Sequence, residues 1–519
     1  MSAVVEANPV QLEQPHLPNA DPCVVVIFGA TGDLTKRKLM PALCRLTDQG
    51  CLEKVRIVGV GRSPMTDDEF QAQMHQALED SNKIDQLNEE TWREFSQRLR
   101  YMSGELDDQN TYQQVAERLK EFTSEGASEN HLFYLATPPS LFSTIVKHLG
   151  EAGLNKEEDG HWSRIIIEKP FGRDLESAKA LNATVAEVFK ESQIYRIDHY
   201  LGKDTVQNIL VFRFGNSMFE PIWNRNYVDY VEITAAESLG VGGRAGYYEG
   251  AGALRDMVAN HLLQLLTLTA MEPPVAFDSD NVREEKVQVL RSIRRLKPEQ
   301  IVERTVRAQY GPGVIDGEQV KGYKEEEGVA PGSTTETFAA IEFHVSNWRW
   351  SGVPFYVRTG KRLARHVTEI AVHLKRTPQA LFARTPTEEI EPNIIVLRIQ
   401  PNEGITVTFG AKRPGFEMLT NTVHMDFCYQ TGFGVESPDA YEMLLLDVMQ
   451  GDATLFTRSD EVEAQWRLIT PIEEAWANQN VKELPMYAAG SDGPTEADDL
   501  TIGNGHHWRK LAETKAGCD

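Results

Sequence analysis

An apolar strand that runs directly into a glycine turn and a helix leaves this chain few possible folds. Residues 23–28 read CVVVIF, a continuous apolar run that is typical of a strand covered on both faces. The turn Gly29-Ala30-Thr31-Gly32 follows, and a helical pattern then extends over residues 34–49. Glycines at such a turn let the backbone approach a pyrophosphate at the helix N-terminus. The G-x-x-G spacing is shorter than the full G-x-G-x-x-G motif, so the dinucleotide prediction needs support from elsewhere.

Further apolar runs alternate with helical patterns over the next part of the chain. The region between residues 66 and 121 is helical and polar, and Ser140 is a predicted cap for a helix over residues 141–149. Strands that alternate with helices predict an α/β, doubly wound (Rossmann-like) sheet. The apolar runs lie at residues 55–60, 131–136, 164–168 and 194–197.

Beyond residue 203, strand-like runs follow one another with few helices between them. This pattern predicts an α+β domain with a large, mainly antiparallel sheet. Helical patterns return at residues 439–449 and 460–467. We therefore predict a mobile tail at 1–21, a dinucleotide-binding domain at 22–203, an α+β substrate domain at 204–487 and a loosely ordered tail at 488–519.

The charge balance excludes several classes of partner. The 519 residues carry a formal net charge of −24, so the chain as a whole repels nucleic acid and anionic membranes. No apolar run reaches membrane-spanning length, and the first residues lack the pattern of a signal peptide, so we expect a cytoplasmic protein. The five cysteines show no metal-ligand spacing, so reduced thiols and no metal site are expected.

The end of the second strand bears on the choice of coenzyme. NAD-binding proteins normally place an acidic residue there, on the ribose 2′-hydroxyl. This chain has Gly61-Arg62-Ser63 instead. A guanidinium and a hydroxyl suit a 2′-phosphate, and no carboxylate is present to repel it. The sequence therefore favours NADP over NAD, although a surface charge also explains Arg62.

The richest group of reactive side chains is Arg196-Ile-Asp-His-Tyr-Leu-Gly-Lys203, where a strand gives way to an amphipathic segment. Ligands of parallel sheets bind beyond the carboxyl ends of the strands, where Lys169 and Asp198 both fall. His199 and Lys203 are four residues apart, so one helical turn would place both beside a phosphate dianion. The alternative is a solvated turn that caps a helix.

A second helix is predicted to face this edge of the sheet. It follows glycines at residues 250 and 252, and its apolar spacing puts His261 on the inward face. A core histidine with one hydrogen bond is the alternative explanation. Asp256 precedes His261 by five residues, which in an α-helix places it far around the axis. The carboxylate that orients the imidazole is therefore predicted to be Asp198.

Taken in order, these motifs resemble those of the glucose-6-phosphate dehydrogenase family. The resemblance extends from about Val24 to Pro471. The octapeptide at 196–203 is highly specific, whereas the glycine turn alone is not. The matching segments are GATGDL at 29–34, EKPFG at 168–172, RIDHYLGK at 196–203, RDMVANHL at 255–262 and RTGK at 358–361.

The resemblance implies oxidation of β-D-glucose 6-phosphate at C1 to 6-phospho-D-glucono-1,5-lactone, with hydride transfer to NADP+, the first step of the oxidative pentose phosphate pathway. It also implies a homodimer or homotetramer joined through the sheet of the α+β domain. In this family match, His261 is the general base and Asp198 its partner. The implied substrate contacts are Lys169, His199, Tyr200, Lys203, Glu237, Asp256 and Lys361. The implied NADP contacts are Gly29, Thr31, Gly32, Asp33, Leu34, Arg62, Ser63 and Lys169.

Two positions depart from the family pattern. Family members usually carry Lys or Arg five residues after the lysine of RTGK, whereas this chain has His366, preceded by Arg365. The cation expected to contact the substrate there is missing unless Arg365 replaces it. Val367 stands where animal members have a lysine that binds a second, structural NADP, so that second site is not predicted.

Two other functions fit part of the pattern. Dehydrogenases similar to glucose-fructose oxidoreductase also join a nucleotide-binding domain that ends in Glu-Lys-Pro to an open sheet, and they oxidise unphosphorylated sugars. The cations at His199 and Lys203 count against them, since a neutral substrate does not require such a cluster. A non-catalytic NADPH sensor is the other alternative. The joint presence of His261 and Asp198 counts against a sensor.

Overall fold

The structure is a computed structural model that describes residues 18–81, 87–378, 391–434, 437–479 and 481–511. Most of the predicted mobile tail at 1–21 lies outside these residues. Within them, no helix combines the length and apolar character that crossing a bilayer requires.

The first part of the chain alternates strands and helices, as predicted. A short π-helix, Thr35–Leu39, joins the glycine turn to the first α-helix. The strands are β1 (Cys23–Phe28), β2 (Val55–Gly61), β3 (Leu99–Ser103), β4 (His131–Leu135), β5 (Ser163–Ile167) and β6 (Ile194–Ile197). The helices are α1 (Met40–Asp48), α2 (Asp67–Glu79), α3 (Glu89–Arg98), α4 (Gln109–Ser124), α5 (Phe142–Glu151) and α6 (Leu175–Ala186).

The second part is richer in strands, and a π-helix, Leu254–Leu262, lies between two of its α-helices. The strands are β7 (Val228–Ala236), β8 (Thr305–Gly311), β9 (Gly313–Ile315), β10 (Glu318–Val320), β11 (Phe338–His344), β12 (Pro354–Gly360), β13 (Val367–Leu374), β14 (Ile394–Gln400), β15 (Gly404–Lys412), β16 (Thr420–Cys428), β17 (Phe456–Thr457) and β18 (Met486–Ala488). The helices are α7 (Asp204–Phe214), α8 (Ala245–Ala253), α9 (Leu263–Ala270), α10 (Ser279–Ser292), α11 (Pro298–Arg304), α12 (Tyr429–Phe433), α13 (Ala440–Gln450), α14 (Ser459–Asn478) and α15 (Glu496–Ile502).

The first sheet is doubly wound. Its strand order is β17-β6-β5-β4-β1-β2-β3, and all neighbours are parallel except the pair β17 and β6. Alternate residues of β1 enter two separate cores: Val24, Val26 and Phe28 face one, and Val25 and Ile27 face the other. Because both faces are covered, the strand has to be apolar along its whole length. The predicted Rossmann-like fold is confirmed.

The second sheet is large and mainly antiparallel. Its order is β16-β15-β14-β13-β7-β12-β11-β8-β18, with parallel pairs only at β7 with β12 and β8 with β18 in the described chain. The π-helix and α9 pack on one face, in the same core as one side of the first sheet. This shared core packs the first sheet, at whose edge Lys169 and Asp198 lie, against the second.

Two boundaries differ from the prediction. The chain returns to the first sheet at β17, which pairs with β6, so residues 456–457 complete the sheet that residue 203 was expected to leave. The segment after residue 488, predicted to be loosely ordered, is packed as far as Leu511, where Trp508 and Leu511 are buried. Apolar side chains so widely spaced in a polar segment give no periodic signal, although they are buried in the structure.

Smaller predictions also failed. Ser140 does not cap α5; it lies in a 3₁₀ turn, and the residue at the helix start is Leu141. Among the described cysteines, Cys23, Cys44 and Cys51 are free, as expected, whereas Cys428 is disulfide-bonded.

Candidate active site

The predicted contact between Asp198 and His261 is present. Asp198 follows β6, and His261 lies on the π-helix. The Nδ1–H of His261 donates to Asp198 Oδ1 at 2.5 Å, and both side chains are buried. With Nδ1 protonated, Nε2 presents a lone pair, which is the tautomer that a general base requires.

Lys169 joins this pair from the end of β5. Its Nζ lies 2.8 Å from His261 Nε2 and 3.3 Å from Asp256 Oδ1. Asp256 is therefore nearer to His261 than the α-helical spacing predicted, although it reaches the imidazole through Lys169 and is not its direct partner, as expected. The prediction assumed an α-helix, whereas the i→i+5 hydrogen bonds of a π-helix bring residues five apart nearly onto one face. Lys169 thus contacts both side chains.

The charges of this group set the protonation state of the imidazole. Burial lowers the pKa of His261, the Asp198 carboxylate raises it, and the Lys169 ammonium lowers it again, so that it stays below its usual value. Burial raises the pKa of Asp198, but His261 and Lys169 reverse this and hold it well below its usual value. At neutral pH the group therefore contains a carboxylate and a neutral imidazole.

Residues 198–202 form turns and not the predicted helical turn. Asp198 Oδ1 accepts the N–H of Tyr200 at 3.0 Å, and α7 begins only at Asp204. Gly202 allows this path, because a Cβ there would lie 2.6 Å from the carbonyl oxygen of Ala440. Short side-chain-to-backbone bonds of this kind compete with helix formation.

The turns place two aromatic rings on the imidazole. Tyr200 stacks on His261 with ring centroids 4.2 Å apart, and His199 meets it edge-on at 4.6 Å. Burial and the positive charges nearby lower the pKa of His199 well below its usual value. His199 is therefore neutral at pH 7, and its ring N–H can donate to a phosphate. Of the two predicted cations, His199 and Lys203, only Lys203 is therefore charged before an anion binds.

The opposite wall of the site comes from the second sheet. Lys203 Nζ donates to Gln400, at the end of β14, and the Tyr200 hydroxyl lies 3.4 Å from Thr368 Oγ1 on β13. Gln400 was not predicted, because its place beside Lys203 depends on the packing of two distant strands. These contacts bring the loop after β6 against the α+β domain.

Glu237 and Lys361 form a second ion pair in this region. Lys361, which follows β12, donates to the Glu237 carboxylate, which follows β7. The neighbouring pairing of β7 and β12 explains why residues so distant in sequence meet. Tyr248 of α8 lies against the Lys361 ammonium, with 5.1 Å from Nζ to the ring centroid. Both predicted residues therefore meet at the ends of β7 and β12, where the Lys361 ammonium also helps to lower the pKa of Asp256.

His366 faces the same charges, although it departs from the family pattern. The side chain is exposed, like that of Arg365, but partial desolvation lowers its pKa, Glu237 opposes that shift, and Lys203 adds to it. A neutral imidazole thus stands where the family has a cation.

The glycine turn at the end of β1 has the geometry of a nucleotide site. Gly29 has φ = 87°, and a Cβ there would overlap the carbonyl oxygen of Ala136. Gly32 donates its N–H to the Gly29 carbonyl at 3.0 Å, and the Thr35 hydroxyl donates to the same oxygen at 3.1 Å. Thr31, Asp33 and Leu34 are partly or fully exposed along this turn. A phosphate can therefore approach the backbone closely at this point.

Arg62 and Ser63 directly follow β2, beside the glycine turn, and both are exposed. The strands β1 and β2 are parallel neighbours, paired from Cys23 with Val55 to Phe28 with Val60. Arg62 therefore lies at the same edge of the sheet as Gly29.

A buried polar cluster under the site was not predicted. Glu168 Oε1 accepts the hydroxyl of Tyr134 at 2.5 Å and that of Tyr441 at 3.2 Å. Tyr441 stacks on His199, with a centroid distance of 6.4 Å. Phenols so far apart in the sequence give no local signal, and only the Glu168-Lys169 motif marked the place.

Asp198, His199 and His261 are also the described residues whose ligand atoms lie close enough together to hold a metal ion. Their atoms already bind one another or stack, so the dyad accounts for the grouping without a metal.

The chain is similar to known proteins over both of its sheets. Residues 26–208 match the family model described as glucose-6-phosphate dehydrogenase, NAD binding domain, and residues 210–509 match the model of its C-terminal domain. The two models together span most of the chain.

Individual relatives agree over nearly their whole length. A glucose-6-phosphate 1-dehydrogenase from Aggregatibacter actinomycetemcomitans is 49% identical over 493 residues, which covers 95% of this chain and 98% of the relative. One from Bacillus subtilis is 43% identical, covering 93% and 98%. A solved glucose-6-phosphate dehydrogenase in complex with glucose 6-phosphate superimposes with a TM-score of 0.86 at 35% identity, covering 95% of this chain and all of that one.

Proposed function

The chain belongs to the glucose-6-phosphate dehydrogenase family, and on that premise we propose how its residues oxidise D-glucose 6-phosphate at C1 to the 1,5-lactone. The observation that carries the proposal is the pair of contacts on His261, in which Asp198 binds Nδ1 and Lys169 binds Nε2. NADP+, when bound, supplies the acceptor for the hydride that leaves C1.

His261 acts as the general base. Its Nε2 accepts the proton of the C1 hydroxyl while the C1 hydride departs, so no oxocarbenium-like charge accumulates at C1. Asp198 stabilises the imidazolium that results. The lowered pKa of His261 keeps its base form available at neutral pH.

Lys169 and Asp256 position the reacting end of the sugar. Lys169 Nζ now lies 2.8 Å from Nε2, the position that the C1 hydroxyl takes over. Held by Asp256, the ammonium then donates to the sugar oxygen. Glu237 and Lys361 hold further hydroxyls at the same edge.

The 6-phosphate binds at His199, Tyr200 and Lys203. Lys203 supplies the fixed charge, and neutral His199 supplies an N–H donor whose pKa the dianion raises on binding. Binding energy gained at the phosphate, away from C1, orients the carbon that reacts.

The coenzyme fits the groove at the glycine turn. Gly29, Thr31, Gly32, Asp33 and Leu34 form the cradle, where the positive φ of Gly29 leaves room for a pyrophosphate. Arg62 and Ser63 would hold the 2′-phosphate, and Lys169 would contact the coenzyme as well as the sugar.

Substrate selection separates this function from its alternatives. NADPH formation, followed by absorbance, is expected with glucose 6-phosphate and not with glucose. Turnover of glucose at a comparable kcat/KM would favour the unphosphorylated-sugar enzyme instead. Absence of turnover with both sugars, together with tight NADPH binding, would favour the sensor.

The base is tested by His261→Asn. The substitution should lower kcat by about 10²- to 10⁴-fold, because it removes the proton acceptor but none of the phosphate ligands. Binding of glucose 6-phosphate, measured by calorimetry, should change little. Unchanged turnover would contradict the assignment of His261.

We further propose that the enzyme is a homo-oligomer, dimer or tetramer, joined at the β16 edge of the second sheet. Met425 and Phe427 on this strand are 63% and 36% exposed, and they line an apolar groove of about 540 Å³ with Phe433. An unpaired edge strand with apolar side chains is a template for a second copy.

Light scattering tests this interface. The wild-type chain should have at least twice the mass of 58.4 kDa, and Met425→Asp should shift it toward the monomer. Val275→Asp is the matched control, since Val275 is 91% exposed but does not line this groove. A monomeric wild type, or dissociation by both variants alike, would contradict the proposal.

A cytoplasmic location is also proposed. Three described cysteines, Cys23, Cys44 and Cys51, are free and buried, as in proteins of reducing compartments, and Cys428 is the exception. Activity in the cytosolic fraction after cell fractionation is the expected result.

A further inference from the structure

We propose that Tyr101 is a positioning residue that sets the preference of this enzyme for a coenzyme with a 2′-phosphate. Tyr101 lies on β3, the outer strand of the first sheet, and its hydroxyl donates to the carbonyl oxygen of Ser63 at 2.7 Å. The inference rests on the proposed function, in which Arg62 and Ser63 hold the 2′-phosphate.

Neighbouring residues leave space for the Tyr101 side chain to reach the loop at residues 62–65. Gly61 has no side chain, and a Cβ there would lie 2.8 Å from the Tyr101 hydroxyl. The ring packs on Phe70 of α2 with centroids 5.0 Å apart. The packing of the ring therefore directs the Tyr101 hydroxyl toward the Ser63 carbonyl.

The backbone of Tyr101 ties the same loop from its other end. The Tyr101 N–H donates to Asp67 Oδ1 at 2.7 Å, and Asp67 is the first residue of α2. Thr66, immediately before, closes the loop with a capping box: its hydroxyl accepts the Glu69 N–H, and Glu69 accepts the Thr66 N–H. Residues 62–65 are therefore held at both ends by β3 and α2.

The carbonyl bond fixes the middle of this loop. Because the Tyr101 hydroxyl holds the Ser63 carbonyl, the backbone of the loop is fixed before a coenzyme arrives, and the side chains of Arg62 and Ser63 are exposed on it. Ordering a backbone residue on binding costs conformational entropy, so a preformed loop binds the 2′-phosphate more tightly. NAD has no group at this position and gains nothing from the ordered loop.

The test is Tyr101→Phe, which keeps the ring and removes the hydroxyl. We expect the ratio of kcat/KM for NADP to kcat/KM for NAD to fall about five-fold, the worth of one net hydrogen bond, through a higher KM for NADP. If NAD turnover is too slow, dissociation constants of adenosine 2′,5′-bisphosphate and ADP give the same ratio by calorimetry.

Tyr112→Phe is the matched control. Its hydroxyl also donates to a backbone carbonyl at 2.7 Å, that of Leu106, within the same domain. A loss of stability without a role in coenzyme choice would appear equally in both variants, whereas the NADP to NAD ratio should change only in Tyr101→Phe.

Arg62→Ala separates the two proposals. If Arg62→Ala leaves the ratio unchanged, the proposed 2′-phosphate site is wrong. If Arg62→Ala lowers the ratio but Tyr101→Phe does not, or changes both coenzymes equally, the site stands and the role of Tyr101 is overturned. A fall in both variants supports both proposals.

Discussion

Lys169 links the two acidic sides of the active site. Its ammonium contacts the imidazole of His261 and the carboxylate of Asp256, and the imidazole is held on its other side by Asp198. Lys169 and Asp198 therefore act on the pKa of His261 in opposite directions: the cation disfavours the imidazolium and the anion favours it. This opposition makes the pH dependence of turnover a direct test of the geometry.

The acid limb of kcat/KM should lie below pH 6.5 in the wild type, because the pKa of His261 is lowered from 6.5. Lys169→Gln removes a positive charge and should move the limb to higher pH, whereas Asp198→Asn should move it to lower pH. Lys179→Gln, which breaks only a surface pair with Glu176, is the control and should leave the limb in place. Shifts of equal sign in the two active-site variants would contradict this electrostatic assignment.

The π-helix is the element that carries the site. At the start of this helix, the Glu336 carboxylate accepts the N–H of Leu254 at 3.0 Å. The backbone carbonyl of Glu336 accepts the N–H of Ala253, also at 3.0 Å. Gly252 has φ = 66°, and a Cβ there would overlap the Glu336 carboxylate. The close approach of glycine and glutamate therefore fixes where the helix begins, and with it the positions of Asp256 and His261.

Gly252→Ala should lower the free energy of unfolding by about 1–3 kcal/mol, because it combines a strained φ with a clash. It should also lower kcat by displacing His261. Gly250→Ala is the control, since a Cβ at Gly250 meets open space. Thermal unfolding followed by circular dichroism, with turnover measured in parallel, compares the two. Equal stability of both variants would show that Gly252 is not required.

At this scale the limits of sequence reasoning are physical. The strands of the first sheet were predictable because both faces are buried, which requires apolar runs such as CVVVIF at β1. β3, LRYMS, and β16, TNTVHMDFC, were missed because they lie at sheet edges and carry polar residues. The dyad was predictable from motif order. The contact of Lys169 with His261 was not, because it depends on a π-helix that has no distinct hydrophobic period.

At the scale of the whole molecule, the C-terminal segment covers the outer face of the second sheet. The Trp508 indole donates to the carbonyl of Ala497 at 2.8 Å and lies 4.5 Å from the Arg358 guanidinium. The next residue, Arg509, donates from Nε to Oε1 of Glu369 on β13 at 2.9 Å. Buried charges on the sheet are thus paired by the last part of the described chain.

Trp508→Ala should cost about 3–5 kcal/mol of stability, since it removes a buried indole and exposes the Arg358 side chain. Trp348→Ala, in which the indole is 88% exposed, is the matched control and should cost little. Urea unfolding followed by circular dichroism measures both. A small effect in both variants would mean that the segment contributes little to the fold.

The pairing of β17 with β6 has a consequence for how the protein is made. Arg196 and Thr457 meet in this pair although they are 261 positions apart. A ribosome must therefore translate most of the message before the sheet that cradles the coenzyme receives its outermost strand. A gene fragment that ends near residue 203 would encode a polypeptide in which β6 lacks its neighbour β17. The first sheet is therefore not a unit that gene fusion or truncation can transfer complete.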